Sequence, residues 1–571
     1  MKIRHIDIKN FRGIKSFSAK IDGDLVCLIG HGDSCKSTII TAIDYALSPR
    51  WNINIDDSDF FNQDINNAIS ISVTLSDWDQ ENDELNKFFS ESKFGQYIGG
   101  LEQDGVISEP IHGAKLSITI NLSVDKFLEP KWLVVKGEDN RSITASDRSL
   151  FGVGRIDAHL DTNFTWKRNS VLSRISSENK ESIDLVLSDI ARSLRDNSPD
   201  LEDCNSITEI IKPELDRFGV KIDNLIPKID IQNLSIASGA LALHSGNVPL
   251  RNFGTGSKKL VSCALQMKLH NGRNITLIDE IELGLEPHRI RGLLNNLKRA
   301  GQQVITTTHS PVVLRELDVS NNELYVCIRN TDGIVQLKSL GCVPESQGPI
   351  RSNPEAFLGR KIIVCEGATE IGCLRALDNV MFNAGDIPVW SMNTVYFNAA
   401  GIGNVKTAAL ALSSLGYKVA TLCDNDTPKQ FNNDNIKELI DAGIQVFSWA
   451  EGNSIEQQLF LDLEWADLSE TLTTIAKVHD SKTKESLIQS INCLLSVSGD
   501  SNTWIESMQL RQAIGLAAAG KNANGDSKDN SHWFKRIDYS ENLFNFVIPK
   551  LSNDTLLKSK LMDLWRWVQN D

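Results

Sequence analysis

Four acidic residues in the second half of the chain have the types and spacing of a metal site. They form two clusters, and each cluster follows a short apolar run of the kind that forms a buried strand. Carboxylates that converge at one edge of a sheet repel one another unless a divalent cation neutralises them. Oxygen ligands of this kind suit Mg²⁺ or Mn²⁺. We therefore predict a metal site formed by Glu366, Glu370, Asp424 and Asp426.

The elements that must position these acids are two strands. Residues 361–365 read as a buried strand that delivers Glu366 to its C-terminal edge, and Glu370 follows about one helical turn later. A second buried strand ends in Asp424 and Asp426, whose i, i+2 spacing directs both side chains the same way. The alternation of strands and helical runs here is typical of a βαβ fold.

Two further acids follow a third apolar run. Glu451 lies just beyond that run, in Trp449-Ala-Glu-Gly-Asn453, and is a candidate additional metal ligand. Glu456 is a weaker candidate. For both acids a purely structural position is about as plausible as a functional one.

The first half of the chain contains a candidate phosphate-binding loop. A buried strand at residues 25–29 leads into Gly30-His-Gly-Asp-Ser-Cys-Lys-Ser-Thr38 and then into a helical run. In this layout backbone N–H groups face the phosphates, Lys36 adds a positive charge, and Ser37 offers its hydroxyl to Mg²⁺. The predicted nucleotide-binding residues of this loop are Gly30, Gly32, Asp33, Ser34, Cys35, Lys36, Ser37 and Thr38.

One position of this loop departs from the usual pattern. Cys35 stands where a glycine normally precedes the lysine. That glycine permits a tight backbone path beside the phosphates. Because cysteine is small, we expect ATP binding to survive, with an altered loop geometry and hydrolysis rate.

Three later segments supply other parts of a nucleotide site. One buried strand ends in Asp279, a candidate for the Mg²⁺ shell, and Glu280, which can orient or deprotonate the attacking water. Another buried strand delivers His309 to the same sheet edge, where it can sense a γ-phosphate. A glycine- and hydroxyl-rich helix start contains Gly256 and Ser257 and suits phosphate binding.

In this order, these segments resemble the head of an ATP-binding-cassette (ABC) ATPase, and within that superfamily the recombination and chromosome-maintenance ATPases. The resemblance covers the first 340 residues and includes Ile6-Asp-Ile-Lys-Asn-Phe-Arg-Gly13. It implies that Arg12 lies near the nucleotide. In such heads ATP lies between two copies, so the resemblance implies a homodimer in which Gly254, Gly256 and Ser257 act on the γ-phosphate bound by the other copy.

The acids of the second half resemble those of a Toprim domain, a fold shared by topoisomerases, primases and certain nucleases. The resemblance implies that Glu366 works in acid–base catalysis or metal binding, and that Asp424 and Asp426 bind metal. The additional acid Glu370 is typical of the nuclease branch that uses two metals. Two such ions activate water and stabilise the leaving 3′ oxygen of a phosphodiester.

An ABC head followed by a Toprim domain resembles one family in particular, the OLD (overcoming lysogenisation defect) nucleases. The resemblance covers nearly the whole chain and extends to Ser531-His-Trp-Phe-Lys-Arg-Ile537. It implies a catalytic lysine that faces the scissile phosphate. The sequence does not choose among Lys521, Lys528 and Lys535 for this role, and a surface amphipathic helix is about as plausible for the segment.

Composition limits the class of protein. The chain has 571 residues, which suggests several domains, with 41% hydrophobic and 23% charged residues, which is ordinary for a globular protein. It shows no secretion signal and no apolar run near about 18 residues, so we expect a cytoplasmic protein. The ten cysteines include no CxxC pair, which argues against a zinc ribbon or disulfide framework. The net charge of −15 weighs only modestly against DNA binding, because phosphate contact needs only a local basic face.

The predicted fold is α/β: an ABC-type ATPase head with a mixed sheet and a helical insertion, followed by a Toprim domain with a helical C-terminal extension. We expect the two lobes of the head at residues 1–154 and 236–345, and a helical, dimerising insertion at residues 155–235. A polar linker then leads to the Toprim core at residues 355–470 and the extension at residues 471–571.

We therefore predict an ATP-regulated DNA endonuclease that needs Mg²⁺ or Mn²⁺. The resemblance implies a homodimer or larger homo-oligomer that acts in phage defence, alone or with an operon partner such as a helicase or a reverse transcriptase with its RNA–DNA product. An alternative is an ATP-dependent DNA sensor or scaffold that signals to a partner, which Cys35 favours because weak hydrolysis suits a switch that stays loaded. A topoisomerase or primase is the least favoured reading, because most of the six tyrosines lie inside predicted ATPase or Toprim elements.

Overall fold

The computed structural model describes the chain apart from residues 79–93, 102–106, 109–114, 157–159, 167–169, 179–192, 194–241, 269–274, 428, 496–498, 526–531 and 571. The described residues form two compact units. The first comprises Met1–Val26 and Ser37–Thr308, and the second comprises Cys27–Lys36 and His309–Asp571. Most of the predicted helical insertion lies outside the described residues.

Strands and helices alternate along the chain, so the fold is mixed α/β, as predicted. The strands are β1 (Lys2–Phe11), β2 (Ile14–Lys20), β3 (Leu25–Ile29), β4 (Ile69–Ser76), β5 (Gly99–Leu101), β6 (Ile107–Ser108), β7 (Lys115–Val124), β8 (Pro130–Lys136), β9 (Asp139–Ser142), β10 (Val153–Ile156), β11 (His244–Ser245), β12 (Val248–Pro249), β13 (Ile275–Ile278), β14 (Gln303–Thr307), β15 (Leu324–Arg329), β16 (Ile334–Ser339), β17 (Lys361–Cys365), β18 (Thr394–Asn398), β19 (Lys418–Cys423) and β20 (Gln445–Ser448).

Helices make up most of the second half. The α-helices are α1 (Lys36–Leu47), α2 (Ala145–Ser149), α3 (Val171–Glu178), α4 (Thr255–Lys268), α5 (Pro287–Arg299), α6 (Pro311–Glu316), α7 (Gln347–Ser352), α8 (Ala368–Asn383), α9 (Ile402–Ser414), α10 (Asn433–Asp441), α11 (Ile455–Asp462), α12 (Leu468–Val478), α13 (Lys484–Leu495), α14 (Met508–Ala518), α15 (Ile537–Val547) and α16 (Leu556–Gln569). Over the described residues, none of them combines the length and the apolar character that a membrane crossing requires.

The first unit contains an antiparallel group of strands. β1 pairs with β2 and β4, β4 pairs with β7, and β7 pairs with β5 and β8. In β4 the side chains of Ile69, Ile71 and Val73 are buried, whereas Ser70 and Ser72 between them are half-buried. This alternation is the pattern of an antiparallel sheet with one covered face, which the sequence predicts for this strand.

A parallel group in the same unit positions the acids of the nucleotide half. β10 pairs with β13, and β13 pairs with β14, in parallel. Every residue of β13 and β14 is buried, as expected for strands covered on both faces. Because parallel strands bring their carboxyl ends to one edge, Asp279 after β13 lies beside Thr307 at the end of β14.

The second unit contains a four-stranded parallel sheet in the order β18-β17-β19-β20. Helices α8, α9 and α10 connect its successive strands, which gives the βαβ series that the sequence predicts. All five residues of β17 are buried, and so are five of the six in β19. The two strands that precede the acidic clusters are therefore neighbours at the centre of one sheet.

The segment that leads to this sheet is not the polar linker that its composition suggests. Residues 347–352 form α7, and a 3₁₀ helix follows at Pro354–Leu358. Ile350 and Phe357 are fully buried. A few apolar side chains therefore pack this segment into the second unit, although most of its residues are polar.

The C-terminal helices and the four-stranded sheet share one hydrophobic core. Trp533 and Phe534 are each 1% exposed and belong to this core. The Trp533 ring meets Phe460 edge-on at 5.8 Å, and Phe534 meets Phe544 at 6.1 Å. The described residues 532–536 therefore form no surface amphipathic helix, because Trp533 and Phe534 anchor this part of the backbone in the core.

Trp533→Ala should lower the free energy of unfolding by about 3–5 kcal/mol, because it leaves a cavity where a buried indole packs. Chemical denaturation followed by circular dichroism would measure the change. Trp390, which is 74% exposed in the same unit, provides the matched control. Trp390→Ala should change stability by no more than about 0.5 kcal/mol, and equal losses for the two variants would contradict the anchoring role.

Candidate functional site

A cavity of about 650 Å³ opens where β17, β18 and β19 end in the second unit. The four predicted metal ligands line it together, because the strands that precede them are adjacent and parallel. A fifth acid and two lysines share the cavity wall. The charged lining residues are Glu366, Glu370, Asp424, Asp426, Glu456, Lys521 and Lys535.

Glu366 and Asp424 are joined directly at the sheet edge. The backbone N–H of Asp424 donates to Oε2 of Glu366 at 3.2 Å, and the N–H of Glu366 donates to the carbonyl of Leu422 at 3.1 Å. Burial raises the pKa of Glu366, and the neighbouring Asp426 raises it further. The site therefore resists carrying a full negative charge on this carboxyl unless a cation is present.

Glu370 lies in the first turn of α8 and is 3% exposed. Its Oε2 accepts a hydrogen bond of 2.8 Å from the backbone N–H of Gly367. Burial raises the pKa of Glu370 to about 8, with added repulsion from Glu366 and Glu456. At neutral pH this carboxyl keeps its proton when no cation compensates its charge.

Asp424 is the most firmly positioned of the acids. Its Oδ1 accepts a hydrogen bond of 3.0 Å from Nε1 of Trp449 and one of 2.8 Å from the backbone N–H of Ile455. Burial raises its pKa well above the ordinary value, and the charges of Glu370 and Glu456 add to the effect. Trp449 and Ile455, which sequence reasoning did not single out, therefore orient the carboxylate.

Of the two additional candidate metal ligands, the structure favours Glu456, which the sequence ranks below Glu451. Glu451 is exposed and does not line the cavity, whereas Glu456 is 5% exposed and does. Ser454 caps α11 through a capping box with Gln457, which fixes the helix start and places Glu456 in the first turn. The spacing of serine and glutamine is visible in the sequence and is the signal that favours Glu456.

The three candidate lysines differ in position. The Lys521 ammonium pairs with Oδ2 of Asp426 and lies 3.3 Å from Oε1 of Gln457. Lys535 is exposed on the cavity wall and follows the buried Trp533 and Phe534. Lys528 lies outside the described residues. Lys521 thus already neutralises an acid, whereas Lys535 lines the cavity and is exposed to solvent.

The residues suit a hard divalent cation by chemistry, although their side chains are not arranged as a finished set of ligands. Over the described residues, no three His, Cys, Asp or Glu side chains converge closely enough to hold a metal ion. Glu370, Asp424 and Asp426 each make the hydrogen bonds or ion pair described above. Carboxylates with raised pKa values gain most from an added cation, so the donors fit Mg²⁺ or Mn²⁺ once these contacts rearrange.

In the first unit, the two predicted Mg²⁺-shell residues of the nucleotide site lie next to each other. Ser37 Oγ donates to Oδ1 of Asp279 at 2.9 Å, and Oγ1 of Thr307 donates to the same atom at 2.6 Å. Nη2 of Arg155 lies 3.9 Å from the other carboxylate oxygen. In P-loop nucleotide hydrolases, a hydroxyl and a carboxylate of this kind hold nucleotide-bound Mg²⁺.

Glu280 follows Asp279 in a left-handed backbone conformation with φ of 47°. Its backbone N–H donates to Oγ1 of Thr307 at 2.8 Å. Lys259, which is 1% exposed, donates to the backbone carbonyls of both Asp279 and Glu280. Burial lowers the pKa of Lys259. This lysine, which the sequence does not single out, secures the turn that carries both acids.

Two of the three residues predicted to act on a second nucleotide, Gly256 and Ser257, make contacts within their own chain. A Cβ on Gly256 would lie 2.1 Å from the carbonyl oxygen of Gly284, so no larger residue fits there. Nη1 of Arg289 lies 3.4 Å from the Ser257 hydroxyl. Gly254 has open space around it. A role across a dimer therefore stays a prediction for these three positions.

Arg12 lies at the turn between β1 and β2 with φ of 50°. Its Nε donates to Oδ1 of Asp59 at 2.7 Å, and its guanidinium lies 5.1 Å from the ring centre of Phe11 and 5.9 Å from that of Tyr45. These contacts hold the arginine in one place. Its predicted role near the nucleotide is not tested by them.

In the second unit, the phosphate loop is closed on its own lysine. Nζ of Lys36 donates to the carbonyls of Gly30 at 2.9 Å and His31 at 2.7 Å and to the Ser34 hydroxyl at 3.1 Å. An ammonium group has three protons to donate, so these acceptors can occupy all of them. A bound phosphate would have to replace at least one.

Cys35 shows the strain that its sequence position predicts. Its φ is 68°, in the left-handed region that favours glycine, and that of Asp33 is 60°. Gly32 and Asp33 are exposed. His309, the predicted γ-phosphate sensor, is also exposed and is the first residue of the later segment of this unit. Cys35 thus places a side chain at a backbone conformation that glycine adopts more easily.

Comparison with known proteins identifies the nucleotide half. Residues 25–315, just over half of the chain, match the family described as "AAA domain, putative AbiEii toxin, Type IV TA system". The chain belongs to this AAA family. It therefore contains an ATPase-type nucleotide-binding domain, and the phosphate loop, Ser37, Asp279 and Glu280 all fall inside the matched region. No curated protein matches the chain significantly.

Solved structures give weaker likenesses. The chain aligns with an SMC head domain from Thermotoga maritima (13% identity, TM-score 0.28), covering 59% of this chain and 99% of that one. It also aligns with the recombination mediator protein RecF (13% identity, TM-score 0.31), covering 59% of this chain and 98% of that one. Because these TM-scores are far below those of a shared fold, the AAA assignment depends on the family match.

Cys35→Gly should raise the free energy of unfolding by about 1 kcal/mol, because glycine adopts a positive φ without the Cβ clash. Turnover of ATP should rise in the same variant. Denaturation without nucleotide and a phosphate-release assay would measure the two effects. Cys493, exposed in helix α13, is the matched control, and Cys493→Gly should lower stability by about 1 kcal/mol. A loss of stability in Cys35→Gly would contradict the strain.

The stability of the metal-free protein should depend on pH through Glu370. Its carboxyl has a pKa of about 8 when folded and an ordinary value of 4.5, so the folded state holds a proton that the unfolded chain releases. Stability therefore falls as the pH rises between these values. We expect a lower Tm at about pH 8 than at about pH 5, and a shallower fall in Glu370→Gln. Thermal melts over this pH range would measure the fall in Tm. Glu451→Gln is the control, and its Tm should change with pH as that of the wild type does.

Proposed function

We propose that this AAA-family protein is an ATP-regulated DNA endonuclease of the OLD type, with a Toprim centre in its second unit. The observation that carries the proposal is the cavity in which five buried or half-buried carboxylates meet two lysines. Carboxylates that hold divalent cations, combined with a cation that faces a phosphate, are the chemical requirements of phosphodiester hydrolysis. The four-stranded parallel sheet that presents the acids supports the Toprim assignment.

The residues divide into two roles in this proposal. Glu366, Glu370, Asp424 and Glu456 would hold Mg²⁺ or Mn²⁺, which activates water and stabilises the leaving oxygen when bound. Lys535 would then contact the scissile phosphate, because it is exposed on the cavity wall and its neighbours Trp533 and Phe534 are fixed in the core.

Asp426 and Lys521 form a second pair of groups with linked roles. While they are paired, neither is available to a metal ion or a phosphate. Binding of a cation by Asp426 releases the Lys521 ammonium, which can then help Lys535 to balance the negative charge of the DNA backbone. With bound cations, these two lysines would offer positive charge to a DNA backbone even in a chain of net charge −15.

The ATPase domain would regulate this centre. Ser37 and Asp279, which share a hydrogen bond, would bind Mg²⁺-nucleotide together with Glu280. We further propose ATP as the nucleotide, a homodimer of heads and a cytoplasmic role in phage defence, as the resemblance implies. A second candidate is an ATP-dependent DNA sensor that hydrolyses slowly, which the positive φ of Cys35 favours. We also propose the head lobes at residues 1–154 and 236–345, the dimerising insertion at residues 155–235, the Toprim core at residues 355–470 and the extension at residues 471–571.

Asp424→Asn should lower the rate of plasmid cleavage in Mg²⁺ or Mn²⁺ by at least about 100-fold, because the centre loses a metal ligand. The asparagine oxygen still accepts the hydrogen bonds of Trp449 and Ile455, so the fold is kept. Supercoiled plasmid incubated with each divalent ion and followed on a gel measures the rate.

Two controls accompany this variant. Glu451→Gln removes a nearby exposed acid and should cleave at the wild-type rate. Asp279→Asn should reduce ATP turnover while the metal-dependent centre stays chemically intact. Undiminished cleavage by Asp424→Asn would refute the nuclease assignment, and loss of cleavage in Glu451→Gln would show a general charge effect.

A further inference from the structure

Residues 30–36 of the phosphate loop and the strand that precedes Asp424 belong to the same compact unit, and a short series of contacts connects them. We propose that Cys327, Ile328 and Gly416, together called the β15 relay, transmit the nucleotide state of the loop to the acidic cavity. The proposal rests on the proposed function and names how its catalytic centre is regulated.

The relay starts where the loop lies against β15. Sγ of Cys327 donates to the carbonyl oxygen of Ser34 at 2.8 Å. A Cβ on Gly30 would lie 2.6 Å from the carbonyl oxygen of Cys327, so the two backbones are in close contact. β15 also pairs with β3 in parallel up to Val326 and Ile29. A change in the loop therefore acts directly on Cys327.

The loop has a reason to change when nucleotide binds. Lys36 now donates to the carbonyls of Gly30 and His31 and to the hydroxyl of Ser34. A bound phosphate competes for the same ammonium, so the lysine must leave loop acceptors that it now holds. Gly30 and Ser34 are also the residues in contact with Cys327. Lys36 bonded to the loop and Lys36 bonded to a phosphate thus differ in the contacts that the loop makes with β15.

Ile328, the next residue of β15, lies against the turn that precedes β19. Cδ1 of Ile328 would lie 2.5 Å from a Cβ added at Gly416, whose φ is +95°. Nζ of Lys338, on the adjacent strand β16, donates to the carbonyl of Ser414 at 3.0 Å. The turn at residues 414–416 therefore contacts β15, which lies beside the phosphate loop, and β16, which pairs with β15.

This turn controls the position of β19. Lys418, the first residue of β19, is two positions after Gly416, and the strand ends directly before Asp424. At that end, the N–H of Asp424 bonds Glu366 and its carboxylate accepts from Ile455. A displacement of β19 changes the spacing of these groups, which is the spacing that a cation must fit.

The relay has room to move. A cavity of about 240 Å³ lies beside it, lined by residues that include Gly30, His31, Ile328 and Gly416. Ile328 can therefore change its side-chain conformation without opening a new void, which would otherwise oppose the movement. The Ile328 side chain therefore has Gly416 on one side and this cavity on the other. A side chain that changes between two positions needs such free space.

The test compares three variants of the full chain. Ile328→Ala removes the contact, and Gly416→Ala alters it from the other side. Gly443→Ala is the matched control, because Gly443 also connects a helix to a strand at positive φ, +79°, yet a Cβ there meets nothing within 4 Å. Plasmid cleavage is measured with and without ATP, and thermal melts confirm that each variant folds.

We expect ATP to change the cleavage rate of the wild type and of Gly443→Ala by about fivefold or more. In Ile328→Ala and Gly416→Ala the ratio of the two rates should fall towards one, with cleavage retained. An unchanged ratio in a folded Ile328→Ala variant would overturn the relay, and so would a wild-type ratio of one.

A second readout separates failure of the relay from failure of the nuclease assignment. Hydrogen exchange of the peptide covering residues 416–424 is measured with and without a slowly hydrolysed ATP analogue and Mg²⁺. The relay predicts a nucleotide-dependent change that is kept in Gly443→Ala and lost in Ile328→Ala. If that result were obtained without any DNA cleavage, the nuclease assignment alone would fail. An exchange rate indifferent to nucleotide would overturn the relay, whatever the protein cleaves.

Discussion

The second unit depends on one electrostatic constraint: carboxylates are buried together at the edge of a parallel sheet. Removing a carboxylate from water disfavours its charge, and like charges nearby disfavour it further. The structure reduces this cost with oriented donors, since Asp424 accepts from Trp449 and Ile455 and Glu370 accepts from Gly367. The remaining cost explains the raised pKa values. A divalent cation removes it, which is why the same residues indicate metal-dependent chemistry.

The AAA domain shows the opposite arrangement, in which the groups already satisfy one another. Asp279 accepts from Ser37 and Thr307, and Lys36 donates to its own loop. The strain there is in the backbone, at Cys35 and Glu280, both with positive φ. Nucleotide must therefore compete with internal hydrogen bonds before it binds. Such a domain is suited to regulation, because a ligand has to replace definite contacts within the loop.

The sequence predicts those parts of the site that depend on local pattern. An apolar run followed by acids gives both the buried strand and the carboxylates at its end, so Glu366 and Asp424 could be placed without a structure. The missing glycine likewise gives the strain at Cys35. By contrast, the burial of Glu456 and the exposure of Glu451 depend on where a helix begins and how it packs. The contact of Ile328 with Gly416 joins residues far apart in the sequence, and no local pattern reports it.

Anomalous scattering from crystals soaked in Mn²⁺ tests the central claim most directly, because it locates the cation without requiring DNA. The account predicts density for Mn²⁺ inside the cavity lined by Glu366, Glu370, Asp424 and Glu456, and its loss in Asp424→Asn. Absence of Mn²⁺ from this cavity at saturating concentration, with the ion found only beside Ser37 and Asp279, would contradict the account. In that case the protein would be an ATPase whose acidic cavity serves another purpose.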